Sequence, residues 1–193
     1  MNKILFVNAC VRPESRTAVL AHHILDKLDG SIEEVRLAEE DIKPLDLQLL
    51  KKRDEYGRAG VFSDDMFRYA KQFAESDIVV VAAPYWDMSF PAMLKIYFEA
   101  VSVQGVTFRY SEDGMPVGLT NVKKVIYVTT AGGPVGDFNL GFDYVRSLCG
   151  MLYGIPEVVC HKAEFLDIIG ADVDAILRRK MDEIDREYEE ENK

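Results

Sequence analysis

Short β-branched runs alternate with helix-periodic segments along this chain, and that alternation limits the available folds more than any other feature. The clearest case is Ile78-Val79-Val80-Val81-Ala82-Ala83, a continuous apolar run of the kind that forms a strand covered on both faces. A helix follows, because Phe90, Met93, Leu94, Tyr97, Phe98 and Val101 recur at helical spacing. Ser89 is an N-cap residue type, and Pro91 suits a first turn, where its missing N–H costs nothing. The same reading gives further strands over 3–8, 32–37, 124–130 and 157–163, and helices over 17–29, 63–75, 140–153 and 172–190. Ser63 is the expected cap of the helix over 63–75, and Val173, Ile176, Leu177, Met181, Ile184 and Tyr188 form the inward face of the last helix. Residues 38–60 are charged and weakly patterned and read as a long functional or covering loop. Val106, Phe108 and Tyr110 alternate with Thr107 and Arg109 ahead of an Asp113-Gly114 turn, which predicts a hairpin insert after the third helix.

Repeated strand–helix units require parallel strands joined by right-handed crossovers. The expectation is an α/β chain, one domain over 1–193, with a three-layer doubly wound parallel sheet of strand order 2-1-3-4-5. The formal net charge of −10 argues against nucleic acid and anionic membrane surfaces as partners. No apolar run is long enough to span a bilayer, and the apolar part of the N-terminus (Ile4 to Val7) is too short for a signal peptide. Cys10, Cys149 and Cys160 form neither a C-x-x-C pair nor a zinc spacing, so a reducing, cytoplasmic setting is expected.

In such a sheet, ligands bind at the carboxyl ends of the strands. Three irregular stretches converge there: 9–17, 84–89 and 130–134. The first opens a helix, whose free N–H groups suit a phosphate; Ser15 and Thr17 add hydroxyls and Arg16 or Arg12 a cation, while Ser15 alone can also serve as a simple cap. In the second, Tyr85, Trp86 and Asp87 either wall a flat ligand or seal the strand end. In the third, Gly132-Gly133 lets backbone approach a ligand closely or makes a plain turn. A phosphate at the first stretch and a flat ring between the other two describe a flavin mononucleotide (FMN) site.

The block Ala83-Pro84-Tyr85-Trp86-Asp87-Met88-Ser89-Phe90-Pro91-Ala92-Met93-Leu94-Lys95 carries a family resemblance. So do Gly105-Val106-Thr107-Phe108-Arg109-Tyr110, Val117-Gly118-Leu119 with Lys123-Lys124, and Thr130-Ala131-Gly132-Gly133. In their order and spacing they resemble the flavodoxin-like FMN-dependent NAD(P)H oxidoreductases, the branch of NADH azoreductases and quinone reductases. The resemblance implies a flavodoxin-like fold, bound FMN, and NADH or NADPH as co-substrate. It implies ping-pong transfer of two electrons to a planar small-molecule acceptor such as a quinone, azo dye or nitroaromatic, and a homodimer with the site near the interface. By motif, it assigns the flavin phosphate to Ser15, Arg16 and Thr17, with Cys10 close by. Pro84, Tyr85, Trp86, Asp87 and Met88 line the ring, and Thr130, Ala131, Gly132 and Gly133 reach its pyrimidine edge. Tyr110 falls on the substrate side, and Tyr144 is a further candidate for holding a planar substrate. The sequence departs from the pattern at Asp87, where relatives often carry asparagine, and at Ala131, where some azoreductases carry a larger polar residue.

Two other readings compete. Cys10 and Arg16 form a Cys-x5-Arg that resembles the phosphate loop of low-molecular-weight tyrosine phosphatases, but the loop lacks glycine and Pro13 removes an N–H. A flavodoxin-type electron carrier would share the acidity but not the hairpin at 108–110. His22 and His23 have no partners at ligand spacing, and His161 is read as closing the fifth strand.

Overall fold

The computed structural model describes residues 1–191. Seven strands and six α-helices follow one another as β1 (Asn2–Asn8), α1 (Arg16–Leu25), β2 (Gly30–Arg36), α2 (Leu47–Ala59), α3 (Arg68–Glu75), β3 (Ile78–Ala82), α4 (Ala92–Val101), β4 (Phe108–Tyr110), β5 (Pro116–Gly118), β6 (Lys124–Thr130), α5 (Leu140–Ser147), β7 (Glu157–Ala163) and α6 (Val173–Glu191). Five of the strands form one parallel sheet in the order β2-β1-β3-β6-β7, as the alternation predicts. β4 and β5 pair antiparallel as the separate hairpin.

The period-two alternation of each strand divides the core between the two faces of the sheet. Leu5, Val7, Val79, Val81, Val125 and Tyr127 pack on one face against Phe73, Leu94, Tyr97, Phe98 and Val145 of α3, α4 and α5. Ile4, Phe6, Val80, Ala82, Ile126 and Val128 pack on the other against Leu20, Ile24 and Ile184 of α1 and α6. Because both faces are covered, these strands read as continuous apolar runs rather than as alternating ones.

Four local features differ from the sequence reading. Residues 47–59 are helical, and α2 went unseen because none of its residues is buried, leaving no apolar stripe to detect. Its ends are marked chemically all the same. The Asp46 carboxylate accepts from the Leu49 N–H at 2.8 Å, and Gly60 closes the helix at φ +66°. The hairpin therefore follows the fourth helix, not the third. The cap before α3 is Asp64, not Ser63: Asp64 accepts from the Met66 N–H at 3.0 Å, and a 3₁₀ turn over 65–67 leads into the helix. Ser89 does not cap α4. It exchanges backbone hydrogen bonds with Trp86 at 2.8 and 3.1 Å, and α4 begins after Pro91 with no side-chain cap. The helix expected to reach 153 ends as α5 at Ser147, followed by a π-turn over 148–152. That wide turn delivers Tyr153 into the core, where its hydroxyl meets Ser102 at 2.6 Å. Against it sits Gly118 of β5, whose backbone approaches so closely that a Cβ there would lie 1.7 Å from the Tyr153 carbonyl oxygen.

Candidate functional site

The carboxyl ends of β1, β3 and β6 each pass their next residues to a neighbouring strand, the last of them to β7. The Ala9 N–H donates to Ala82, Ala83 to Val128, Tyr85 to Thr130 and Ala131 to Ala163, at 2.9–3.1 Å. This ladder holds the loops side by side at the edge of the sheet, where the strand order reverses between β1 and β3. They enclose an open cleft of about 650 Å³, walled by 11–17, 84–86, 130–132 and 166–167. A volume of this order suits a cofactor-sized ligand.

One end of the cleft is built to take an anion. It lies at the start of α1, whose first amides have no helical acceptor and whose first turn carries no acidic side chain. Ser15 caps the helix, its hydroxyl accepting from the Ala18 N–H at 3.3 Å. Thr17 is buried, and its hydroxyl meets that of Thr130 at 2.6 Å, tying the first loop to the end of β6. Arg16 supplies the cation. Its Nη1 donates to the Leu166 carbonyl at 3.0 Å and to the Asp167 carboxylate at 2.7 Å, across the mouth of the cleft.

The other end is aromatic on one side and bare on the opposite one. Trp86 keeps 42 % of its surface exposed, so it does not seal the strand end; it stands on the cleft wall beside Tyr85. The Tyr85 hydroxyl donates to the Phe138 carbonyl at 2.8 Å, which fixes its ring. Both side chains are held by the tight turn Trp86–Ser89, in which Asp87 (φ +48°) and Met88 (φ +66°) adopt left-handed backbone. Methionine rarely does so, and strain of about 1–2 kcal/mol is kept at the cleft rim. Opposite lie Thr130, Ala131 and Gly132. A Cβ at Gly132 would stand 2.3 Å from an Asp167 carboxylate oxygen, so glycine here leaves Asp167 room to hold its place beside Arg16. Glu164 holds this loop from below, accepting from the Val135 N–H at 2.6 Å and from Gly136 at 3.4 Å. Burial by itself would raise its pKa, but these amides and Lys162 outweigh it and keep the carboxyl below its ordinary range.

Of the residues singled out in the sequence, Arg12, Ser15, Arg16, Thr17, Pro84, Tyr85, Trp86, Thr130, Ala131 and Gly132 line this cleft. The others do not. Cys10 is partly buried beneath the first loop, its thiol 3.9 Å from the Ala82 carbonyl. Asp87 and Met88 project from the exposed tip of the turn, and Gly133 lies just beyond the wall. Tyr144 packs edge-on against Phe90 with the Lys95 ammonium over its ring. Tyr110 faces a separate cavity beside α2. His161 lies inside β7 rather than closing it and pairs with Glu187 at 3.7 Å.

Sequence reasoning missed Leu166, Asp167 and Glu164, although the loop after the fifth sheet strand emerges at the same edge. The left-handed Phe165 (φ +67°) turns that loop toward the cleft, a conformation no residue type there announces. Burial raises the Cys10 thiol pKa, the opposite of what a nucleophilic thiolate needs, and Arg16 is engaged by Asp167; the phosphatase reading has no support in this geometry. Among the described residues, no cluster of three His, Cys, Asp or Glu side chains is placed to hold a metal ion, and no helix is long and apolar enough to cross a membrane.

Comparison with known proteins agrees with this geometry. The family described as "Flavodoxin-like fold" matches residues 2–184. The FMN-dependent NADH:quinone oxidoreductase of Clostridium beijerinckii is 34% identical over 191 residues, covering 94% of this chain and 96% of its own. FMN-dependent NADH:quinone oxidoreductase 2 of Clostridium acetobutylicum is also 34% identical, over 98% of this chain and 100% of its own. Among solved structures, azoreductase from Bacillus anthracis superposes with a TM-score of 0.83 at 24% identity, covering 97% of this chain and 99% of the other, and shares the fold. The chain belongs to the flavodoxin-like fold family, alongside relatives named FMN-dependent NADH:quinone oxidoreductases.

Proposed function

We propose that this chain, as one flavodoxin-like domain over 1–193, is an FMN-dependent NADH:quinone oxidoreductase. One observation carries the reading: an anion pole at Ser15–Thr17 and a flat slot between Tyr85–Trp86 and 130–132 are joined in a single cleft at the switch point of the sheet. A ligand with phosphate at one end and a planar ring at the other fits that polarity, and the relatives are named for FMN.

FMN, when bound, supplies the two-electron redox chemistry that no protein side chain offers. The chain's own residues bind and orient it. The α1 amides, Ser15 and Arg16 would hold the phosphate. Tyr85, fixed through Phe138, and Trp86 would wall one side of the ring, while Thr130 to Gly132 present backbone to its edge. The Thr17–Thr130 hydroxyl contact keeps these two halves of the cleft at a constant separation. The open mouth leaves one side of the slot to NADH and then to a planar acceptor in alternation. Quinones, azo compounds and nitroaromatics fit as acceptors by shape. The Asp87 carboxylate stands on the exposed turn, so its charge is screened by water. A homodimer is part of the proposal, supported by large apolar side chains left exposed at Met115, Leu119 and Met151.

The test is spectroscopic. Apoprotein mixed with FMN should retain it through gel filtration, and anaerobic NADH should bleach the flavin band in one two-electron step, restored by a quinone. A protein that fails to take up FMN, or whose flavin NADH leaves oxidised, refutes the proposal.

A further inference from the structure

At its anion pole the cleft is closed by a tie between its two walls, and Asp167 makes that tie. One carboxylate oxygen accepts from Arg16, on the wall formed by 11–17, at 2.7 Å. The other lies against Gly132 on the opposite wall, where a Cβ would stand 2.3 Å from it. Arg16 is held from the same side a second time, its Nη1 donating to the Leu166 carbonyl at 3.0 Å. Residues 166–167 therefore cross from wall to wall at the end of the cleft where Ser15 caps α1.

The tie is anchored through the backbone. The N–H groups of Phe165, Leu166 and Asp167 donate to the carbonyls of Gly133, Ala131 and Gly132 at 3.4, 3.1 and 3.0 Å. Leu166 is buried, and Phe165 enters the segment in left-handed conformation, which a phenylalanine adopts only where its surroundings hold it there. Residues 166–167 are thus fixed in place rather than free to swing aside. Charge adds to shape. The charged side chains lining the cleft are Arg12 and Arg16 against Glu14 and Asp167, and they cancel. The surplus attraction for an anion comes from the α1 amides, at one point only. One phosphate is matched there. A second phosphate farther out would have no such amides and would stand beside the Asp167 carboxylate.

We propose that Asp167, through its tie to Arg16, makes the cleft selective for a flavin that ends at its phosphate. FMN is admitted. FAD, whose phosphate continues into a pyrophosphate and an adenosine, is excluded. The inference rests on the FMN reading and adds the residue that decides between two cofactors with the same ring. Contacts to the ring and its ribityl chain serve both alike, so only the phosphate end can tell them apart. In FAD an outward oxygen of that phosphate is esterified, and the chain beyond it must pass where Arg16 and Asp167 meet. Asp167 acts on specificity and takes no part in the chemistry.

Calorimetric titration of FMN, FAD and riboflavin into apoprotein tests the proposal without turnover. Wild type should bind FMN about 100-fold or more tighter than FAD, with FAD no tighter than riboflavin. Asp167→Ala removes both the bulk and the charge of the tie, and it should narrow the FMN-to-FAD ratio by about tenfold or more, chiefly by a gain in FAD affinity. Asp167→Asn keeps the bulk and removes the charge, and should narrow the ratio less. The Asp167 side chain is 70% exposed, so both variants should stay folded and keep the wild-type affinity for riboflavin. A smaller preference in wild type, or a ratio left unchanged by Asp167→Ala, overturns the proposal. So does a parallel loss of all three ligands in the Asp167→Ala protein, which would make Asp167 a support for the loop and nothing more. Failure of wild type to take up FMN refutes the proposed function, whereas equal uptake of FMN and FAD refutes this inference alone.

Discussion

Arg16 and Asp167 make the sharpest test of where the cofactor phosphate sits. At the mouth of the cleft Arg16 is held by Asp167 at 2.7 Å, with 41% and 70% of their side chains exposed. An ion pair so exposed is worth about 0–1 kcal/mol. A charge-assisted hydrogen bond from Arg16 to a phosphate is worth about 1.5–3 kcal/mol, and making it requires Arg16 to leave or share Asp167. The net contribution of Arg16 to FMN binding is then roughly 1–2 kcal/mol. Arg16→Gln should therefore raise the dissociation constant about 5- to 30-fold. Asp167→Asn releases Arg16 and removes a negative charge from the anion pole, so FMN should bind up to about fivefold tighter. In the Arg16→Gln background most of that gain should vanish. Riboflavin, which lacks the phosphate, serves as control, and neither substitution should move its affinity appreciably. Quenching of flavin fluorescence on titration into apoprotein, at low and high salt, reads all of these values, and the differences should shrink with salt. Equal losses of FMN and riboflavin in the Arg16→Gln protein, or weaker FMN binding in the Asp167→Asn protein, would place the phosphate elsewhere.

Gly118→Ala should cost about 1–3 kcal/mol by forcing β5 off the Tyr153 carbonyl, lowering the melting temperature about 2–4 °C per kcal/mol. Gly57→Ala should instead raise it, since the same methyl meets open space. Glu164 has a folded-state pKa below its ordinary 4.5, so its stabilisation is complete above that value and fades as pH falls through the lower, folded value. The difference in urea midpoint between wild type and Glu164→Gln should be flat from about pH 5 upward and shrink on acidification; a difference that grows would reverse the assignment. Cys149 is fully buried with its thiol pushed up to about 12, Cys160 is pushed up to about 11, and Cys10 is raised as well. A thiol reagent at pH 8 should therefore label the native protein slowly, and a fast stoichiometric reaction at Cys10 would contradict its burial.

The runs at 4–7, 78–83 and 124–130 were legible as buried strands because parallel strands covered on both faces are apolar for most of their length. The helices α1, α3, α4 and α6 were legible because each turns an apolar stripe toward the sheet. α2 was not legible, because a helix without a buried face leaves no periodicity, and its Asp46 and Gly60 caps are common residues elsewhere. At the cleft, the loops after the first, third and fourth sheet strands could be found from topology alone. Asp167 and Glu164 could not, since their roles depend on the left-handed turn at Phe165 and on distances to Arg16 and Val135.

Local chemistry by itself thus determined the class of fold, the order of the strands and the edge of the sheet where a ligand can enter. These depend on periodicity, chirality and chain connectivity, which are local or nearly so. Tertiary structure alone decided which side chains meet. It joined Thr17 to Thr130 and Arg16 to Asp167, over 113 and 151 residues of sequence. Contacts at such separation are fixed by the packing of whole elements, and no pattern within a single segment encodes them.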